Sequence, residues 1–346
     1  MKRAIFWLGV AWCGIVGPTT YPQGSGPLES LKRFSSFSQV DLRRMLDGEI
    51  LAERGPLMEF PNGITAETCF VVPISAEETA KQLKTWDATP HEALKVHAFQ
   101  MLHNPCEPGD FQRLSFKSNQ HSIRWLLERT KESTPDKSEL NLSRSEAREL
   151  AGCVDKNFDP TRIASCWSKL LFARAASFQR RRLAGILPYE TTGETILPVM
   201  QLRAMLGEQL QVAHEFQPIL QRIGLFGSTN GAVAPVPCYY WTMFDADHHA
   251  TISLGAFYEL AVDDHFQMVD VEYYVSGNYY TSATLYEIWP IRIGNKSGSL
   301  VWRDDFFAAP MLRFTKGTER LAYGAIMLQE IKKEIRYFQD DMKIKQ

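Results

Sequence analysis

The chain has 346 residues, with 38 Lys+Arg against 40 Asp+Glu, 45% hydrophobic and 23% charged residues. That is the balance of one or two ordinary globular domains, and it excludes general disorder, a coiled coil, a collagen-like repeat and a multi-span membrane protein. A formal charge of −2 removes the electrostatic basis for packaging nucleic acid, so no nucleic-acid partner is expected.

The N-terminus reads MKRAIFWLGVAWCGIVGPTT. Lys2 and Arg3 form a basic n-region, and Ala4 to Gly17 is an uncharged, mostly apolar run, the layout of a secretory signal peptide. As a helix that run reaches only about 21 Å, short of the ~30 Å hydrocarbon core. No small-x-small pair precedes Pro18, and bulky Trp12 argues against a lipoprotein site at Cys13. Residues 1–23 are therefore read as a signal peptide and the start of a linker. The protein is expected to be exported, to the periplasm or beyond the cell. Membrane contact is expected only through this segment, if it is left uncleaved. Cysteines stand at 13, 69, 106, 153, 166 and 238. Export permits disulfides, and Cys153 and Cys166 are the closest pair in sequence. A staple between two helices and free cysteines acting as small buried hydrophobes both remain open. No CxxC and no Cys/His spacing fits a zinc site, so neither metal nor cofactor is expected.

After the linker, LKRF and VDLRRMLDGEIL suggest a short helix and then a strand. Glu67 to Val72 reads as a strand that Pro73 stops. Ser75 and Glu78 make a capping box for a helix carrying Ala76, Ala80, Leu83 and Trp86 on one stripe. FQRLSF, 111–116, reads as a strand, SIRWLLERT as a short helix, and 130–141 as an exposed loop. Ser143 and Glu146 make a second capping box. Asp159 and Pro160 are a good N-cap and first helical residue, followed by the stripe Ile163, Trp167, Leu170, Leu171, Ala175 and Phe178. Arg180, Arg181 and Arg182 end this helix, where cations complement its dipole. Pro198 opens a further helix through Leu202, Met205, Leu206, Leu210, Ala213 and Phe216, and Pro218 kinks or ends it. Residues 143–223 thus form a helical insertion or subdomain within one α+β domain spanning 24–346. The Gly-rich stretch 224–235 is the best boundary candidate.

The C-terminal third changes character. Between Tyr239 and Trp289 lie 13 aromatics, eight of them tyrosines, a composition that marks strands. VDVEYYVS and YYTSATLYEI flank Gly277-Asn278, a two-residue hairpin loop. That loop sets Val275 opposite Tyr280. One face then carries Val269, Val271, Tyr273 and Val275 against Tyr280, Ser282, Thr284 and Tyr286, and is taken as inward. The other carries Asp270, Glu272 and Tyr274. A turn at GNKSG leads to the strand SLVWRDDFF. A long helix over roughly 317–341 follows, with Leu321, Ala325, Leu328, Ile331, Ile335 and Phe338 as its stripe. The fold class is α+β: an antiparallel sheet packed on a long C-terminal helix, with a helical block inserted before the last strands.

The opening ETCFVVPISAEETAKQLKTWD, the late antiparallel meander and the closing helix resemble the START-like, helix-grip superfamily. The resemblance covers 66–90 and 239–341 and rests on the order of elements. It implies a curved sheet wrapped around the last helix, enclosing a cavity for lipids or other apolar ligands. The helical block 143–223 departs from that compact pattern.

The leading functional expectation is non-catalytic binding of an apolar or amphipathic, lipid-like molecule between sheet and helix. Its ligand-binding residues are Val271, Tyr273, Val275, Tyr280, Ser282, Thr284 and Tyr286, with Arg303 meeting an acidic head group. The pattern fits, because ligand pockets are apolar with a few placed polar groups. No catalytic residue is assigned: G-x-S-x-G, S-x-x-K and H-E-x-x-H are all absent. Two alternatives stand. One is a hydrolase-type enzyme using Asp245, Asp247, His248 and His249. The other is an envelope interaction module presenting an exposed tyrosine surface. Asp263, Asp264 and His265 read as a polar turn at a strand end.

Overall fold

Long runs of aromatic and β-branched residues, broken by short polar turns, build the sheet. In the computed structural model it comprises β1 (Leu51–Arg54), β2 (Gly63–Val72), β3 (Val96–Leu102), β4 (Cys238–Ala246), β5 (His249–Val262), β6 (His265–Val275), β7 (Thr281–Ile293) and β8 (Lys296–Ala308). All pairs are antiparallel, in the order β1-β2-β8-β7-β6-β5-β4-β3. Residues 26–344 are described, except 118–119, 155–158, 192 and 228–232. The expected signal peptide, Cys13 and the centre of the Gly-rich stretch lie outside the described residues. No described helix is long and apolar enough to cross a membrane.

Helices cover both faces of the sheet. One face meets α1 (Pro27–Phe34), α2 (Leu42–Leu46), α4 (His121–Glu132), α5 (Arg144–Cys153), α6 (Pro160–Arg181), α7 (Pro198–Glu208), α8 (Leu210–Glu215) and α9 (Gln217–Arg222). Their stripes, including Ile163, Trp167, Leu171 and Phe178, share one hydrophobic cluster with Trp241, Leu254, Val271, Tyr273 and Trp302 of the sheet. The other face meets α3 (Ala76–Thr85) and α10 (Thr318–Ile344). Here Ala76, Ala80, Ile331, Ile335, Phe338 and Met342 pack on Phe70, Met268 and Val301. The predicted fold class is the observed one. Only the C-terminal half of α10 buries its stripe; Leu321 and Ile326 in the first half remain 40% and 59% exposed.

The helix starts follow local chemistry. Ser75 and Asp159 accept hydrogen bonds from the Glu78 and Thr161 amides. Ser143 and Glu146 form the reciprocal capping box. Cys153 and Cys166 form a disulfide that ties α5 to α6, while Cys69 and Cys106 are free and buried. Glu146 has a second role: its carboxylate receives Arg174 Nε at 2.7 Å and an Arg174 terminal nitrogen at 2.5 Å. The same guanidinium lies 4.1 Å from the Tyr274 ring centre.

Residues 130–141 are not an exposed loop, since α4 runs on to Glu132 and Thr130, Ser133, Leu140 and Asn141 are buried; three further local expectations need correction. FQRLSF is not a strand. Pro108–Phe111 is a short 3-10 turn, and Phe111, Leu114 and Phe116 plug separately into the helical-face core. The edge strand is instead Val96–Leu102, half-buried as far as Met101 and buried at Leu102, with no alternation. The helix opened by Pro198 is three short helices, and Pro218 lies in the first turn of the last, where a missing N–H costs nothing.

The last correction concerns register. β6 ends at Val275 and β7 begins at Thr281, so the connection is five residues, not two. Val269 pairs with Leu285, Asp270 with Thr284 and Glu272 with Ser282, one residue away from the expected pairing. A one-residue slip moves a whole strand's side chains to the opposite face. Asp270 and Glu272, expected to face away from Ser282, Thr284 and Tyr286, therefore stand beside them.

Candidate functional site

A cavity of about 710 Å³ lies between the sheet and α10. Its apolar walls come from Phe70, Phe99, Phe257 and Phe307 on the sheet side and from Met327, Ile331, Ile335 and Phe338 of α10. Ile326, in the first half of α10, lines the cavity and is exposed, and so marks an open side of it.

Across the floor runs a polar band drawn from β4, β6, β7 and β8. Tyr240 on β4 donates to Asp270 on β6, at 2.8 Å to Oδ2 and 3.1 Å to Oδ1. Glu272 accepts from Ser253 and Ser282 at 2.6 Å each and from Tyr279 at 2.5 Å. Thr284 on β7 donates to Asp305 Oδ1 on β8 at 2.9 Å. Arg303 binds Asp305 through two nitrogens at 2.7 and 2.8 Å, and reaches Glu334 of α10 at 3.1 and 3.2 Å. The Arg303 guanidinium also lies 5.5 Å from the Tyr286 ring centre. Burial works against the Arg303 charge, and Asp305 and Glu334 outweigh it, holding its pKa well above the usual value. Asp270 is pushed well above the ordinary aspartate range, first by burial and then by the negative charge of Glu272. Burial, Asp270 and Glu272 push Tyr240 up as well.

The floor depends on Gly255. A β-carbon there would fall 2.0 Å from Tyr240 Cζ, and β5 shifts register between Leu254 and Gly255. The bulge and the bare backbone let the Tyr240 ring lie over β5 and reach Asp270.

Of the residues expected to bind ligand, Ser282, Thr284, Tyr286 and Arg303 line the cavity. Val271, Tyr273 and Tyr280 lie instead in the helical-face core, where Tyr273 stacks on Phe178 with ring centres 3.8 Å apart. Val275 packs behind Tyr279, Ala309 and Leu312, which line the cavity, and is not itself part of the lining. Arg303 does not await an acidic group: of the five N–H donors of a guanidinium, four are taken by Asp305 and Glu334. Asp270, Glu272, Tyr240, Asp305 and Glu334 were missed as site residues. A signal for some of them exists: acids two apart on one strand, facing hydroxyls two apart on the next.

The Asp/His cluster is dispersed. Asp247 and His248 form the β4–β5 turn with φ of 49° and 64°, and with Asp245 they line the cavity. Asp245 lies 2.6 Å from His97 Nε2, while His249 stacks on Trp125 of α4 on the opposite face, ring centres 4.1 Å apart. His265, the first residue of β6, lies 2.8 Å from Glu287. Among the described residues no group of three or more His, Cys, Asp or Glu is placed to hold a metal ion. Comparison with family models, curated proteins and solved structures returns no match.

Proposed function

We propose that this chain is an exported, non-catalytic protein that binds an apolar or amphipathic small molecule between the sheet and α10, in the manner its START-like resemblance implies. The observation that carries the reading is the cavity of about 710 Å³, mostly apolar with one polar band. Ligand pockets typically measure ~300–1,000 Å³ and combine an apolar wall with a few convergent polar groups. The rival readings draw less support. The hydrolase cluster has one member on the wrong face. Nine tyrosines of the sheet and its surroundings, among them Tyr239, Tyr258 and Tyr274, are buried rather than displayed.

Native mass spectrometry of the protein, expressed with its N-terminal segment and recovered from the periplasm, tests the reading. The expected result is a stoichiometric extra mass that organic extraction removes. The variant Ile326→Trp narrows this open side at an exposed position and is expected to carry less of that mass while folding normally. A clean apo mass, together with no saturable uptake of an apolar fluorescent probe, would sink the reading.

A further inference from the structure

The charge of the cavity narrows the class of occupant. Four carboxylates face it from the polar band: Asp270 and Glu272 on β6, Asp305 on β8 and Glu334 on α10. Against them stands one buried cation, Arg303, which is engaged by Asp305 and Glu334. The lysines along the wall do not restore the balance. Lys84 pairs with Glu259 and Lys333 with Glu330, while Lys95 is exposed at the rim. Asp270 and Glu272 thus share a cavity wall with hydroxyl partners and no cation of their own.

We propose that the ligand is an amphipath whose polar end is a protonated amine, seated between Asp270 and Glu272 with its apolar body along Phe257, Ile331 and Phe338. The two acids are alternate residues on one strand, so their α-carbons are roughly 6–7 Å apart. One ammonium, with three donors, spans that gap. An anionic head group would meet the carboxylates instead and would have to pull Arg303 from two partners. A neutral head group gains hydrogen bonds only. This inference rests on the cavity reading and adds the charge of the head group to it.

Calorimetric titration of the full-length protein with decylamine, 1-decanol and decanoate separates the two. All three carry the same chain, so they differ only at the polar end. The expected result is decylamine binding at least tenfold tighter than 1-decanol, with decanoate weakest. Glu272→Gln and Asp270→Asn are each expected to weaken decylamine at least fivefold, and by a larger factor than they weaken 1-decanol. Binding of 1-decanol or decanoate as tight as that of decylamine would overturn the amine assignment while leaving the cavity reading intact. Unchanged decylamine affinity in both variants would overturn it too, because the ammonium would then sit elsewhere. Failure of all three probes to bind would overturn the cavity reading and the amine assignment together.

Discussion

Among the described residues each face of the sheet meets one buried arginine, Arg174 of α6 on one and Arg303 of β8 on the other, and the two are used differently. On the helical face Arg174 is clamped by one carboxylate, Glu146, and covered by Tyr274 and Tyr189. Around it the core is filled; the Phe178–Tyr273 stack is one example. On the α10 face Arg303 has a similar aromatic neighbour, Tyr286, but it is shared between two carboxylates beside a cavity where two more have no cation. The first arrangement closes a core. The second sets acidic side chains beside open volume, and the proposed ligand reading starts from that difference.

The largest effect is expected on the closed face. Glu146→Ala leaves the Arg174 guanidinium buried without its partner and removes half of the α5 capping box. A loss of about 3–5 kcal/mol is expected, read as a shifted urea midpoint. A loss under 1 kcal/mol would mean that the pair is not a structural clamp.

Arg303→Met should cost somewhat less, about 3 kcal/mol, and its cost should depend on pH. Without the guanidinium, burial of Asp305, which is only 1% exposed, and the Glu334 charge are opposed only by the Thr284 hydroxyl, so its folded pKa rises further above the ordinary 3.8. A carboxylate whose folded pKa exceeds its unfolded one destabilises the protein as pH rises through the folded value. The gap between wild type and Arg303→Met in urea should therefore be smaller at pH 5 than at pH 8. A pH-independent gap would separate Arg303 from the carboxylates.

Gly255→Ala tests whether the cavity floor is built by backbone. The added methyl must displace Tyr240, which should cost about 1–3 kcal/mol and detach the ring from Asp270. The accompanying expectation is a loss of probe binding larger than the loss of stability explains. Retained binding would show that Tyr240 is dispensable to the floor.

The smallest effect is expected at Arg313, whose pair with Glu194 at 3.0 Å has both side chains at least half exposed. Arg313→Ala should change stability by no more than ~0.5 kcal/mol. A larger change would undercut the distinction between buried and exposed arginines on which the comparison stands.

Much of this molecule was legible before folding was considered. The capped starts at Ser75, Ser143 and Asp159, the stripe of α6 and the long closing helix all depend on residues within one or two turns of one another. The Cys153–Cys166 staple was one of two open readings because its cysteines fall on neighbouring helices. The candidate site was half legible: period-two alternation puts Ser282, Thr284 and Tyr286 on one face of one strand, and that face lines the cavity.

Their partners across the strands were not. Alternation says which residues share a face but leaves undecided which face a neighbouring strand presents, and that depends on the loop between them. Gly277-Asn278 looks like a complete two-residue turn, yet Asn141 from the helical face donates to the Val275 and Tyr279 carbonyls at 3.0 and 2.7 Å. Those bonds hold a five-residue connection open. A contact 134 residues away in the chain thus accompanies the register that puts Asp270 and Glu272 in the cavity. Sequence by itself determined the elements, their caps and the apolar stripes, because these are local. Only the tertiary structure decided that the acids of β6 face the hydroxyls of β7, because cross-strand register is set by loops and by partners remote in the chain.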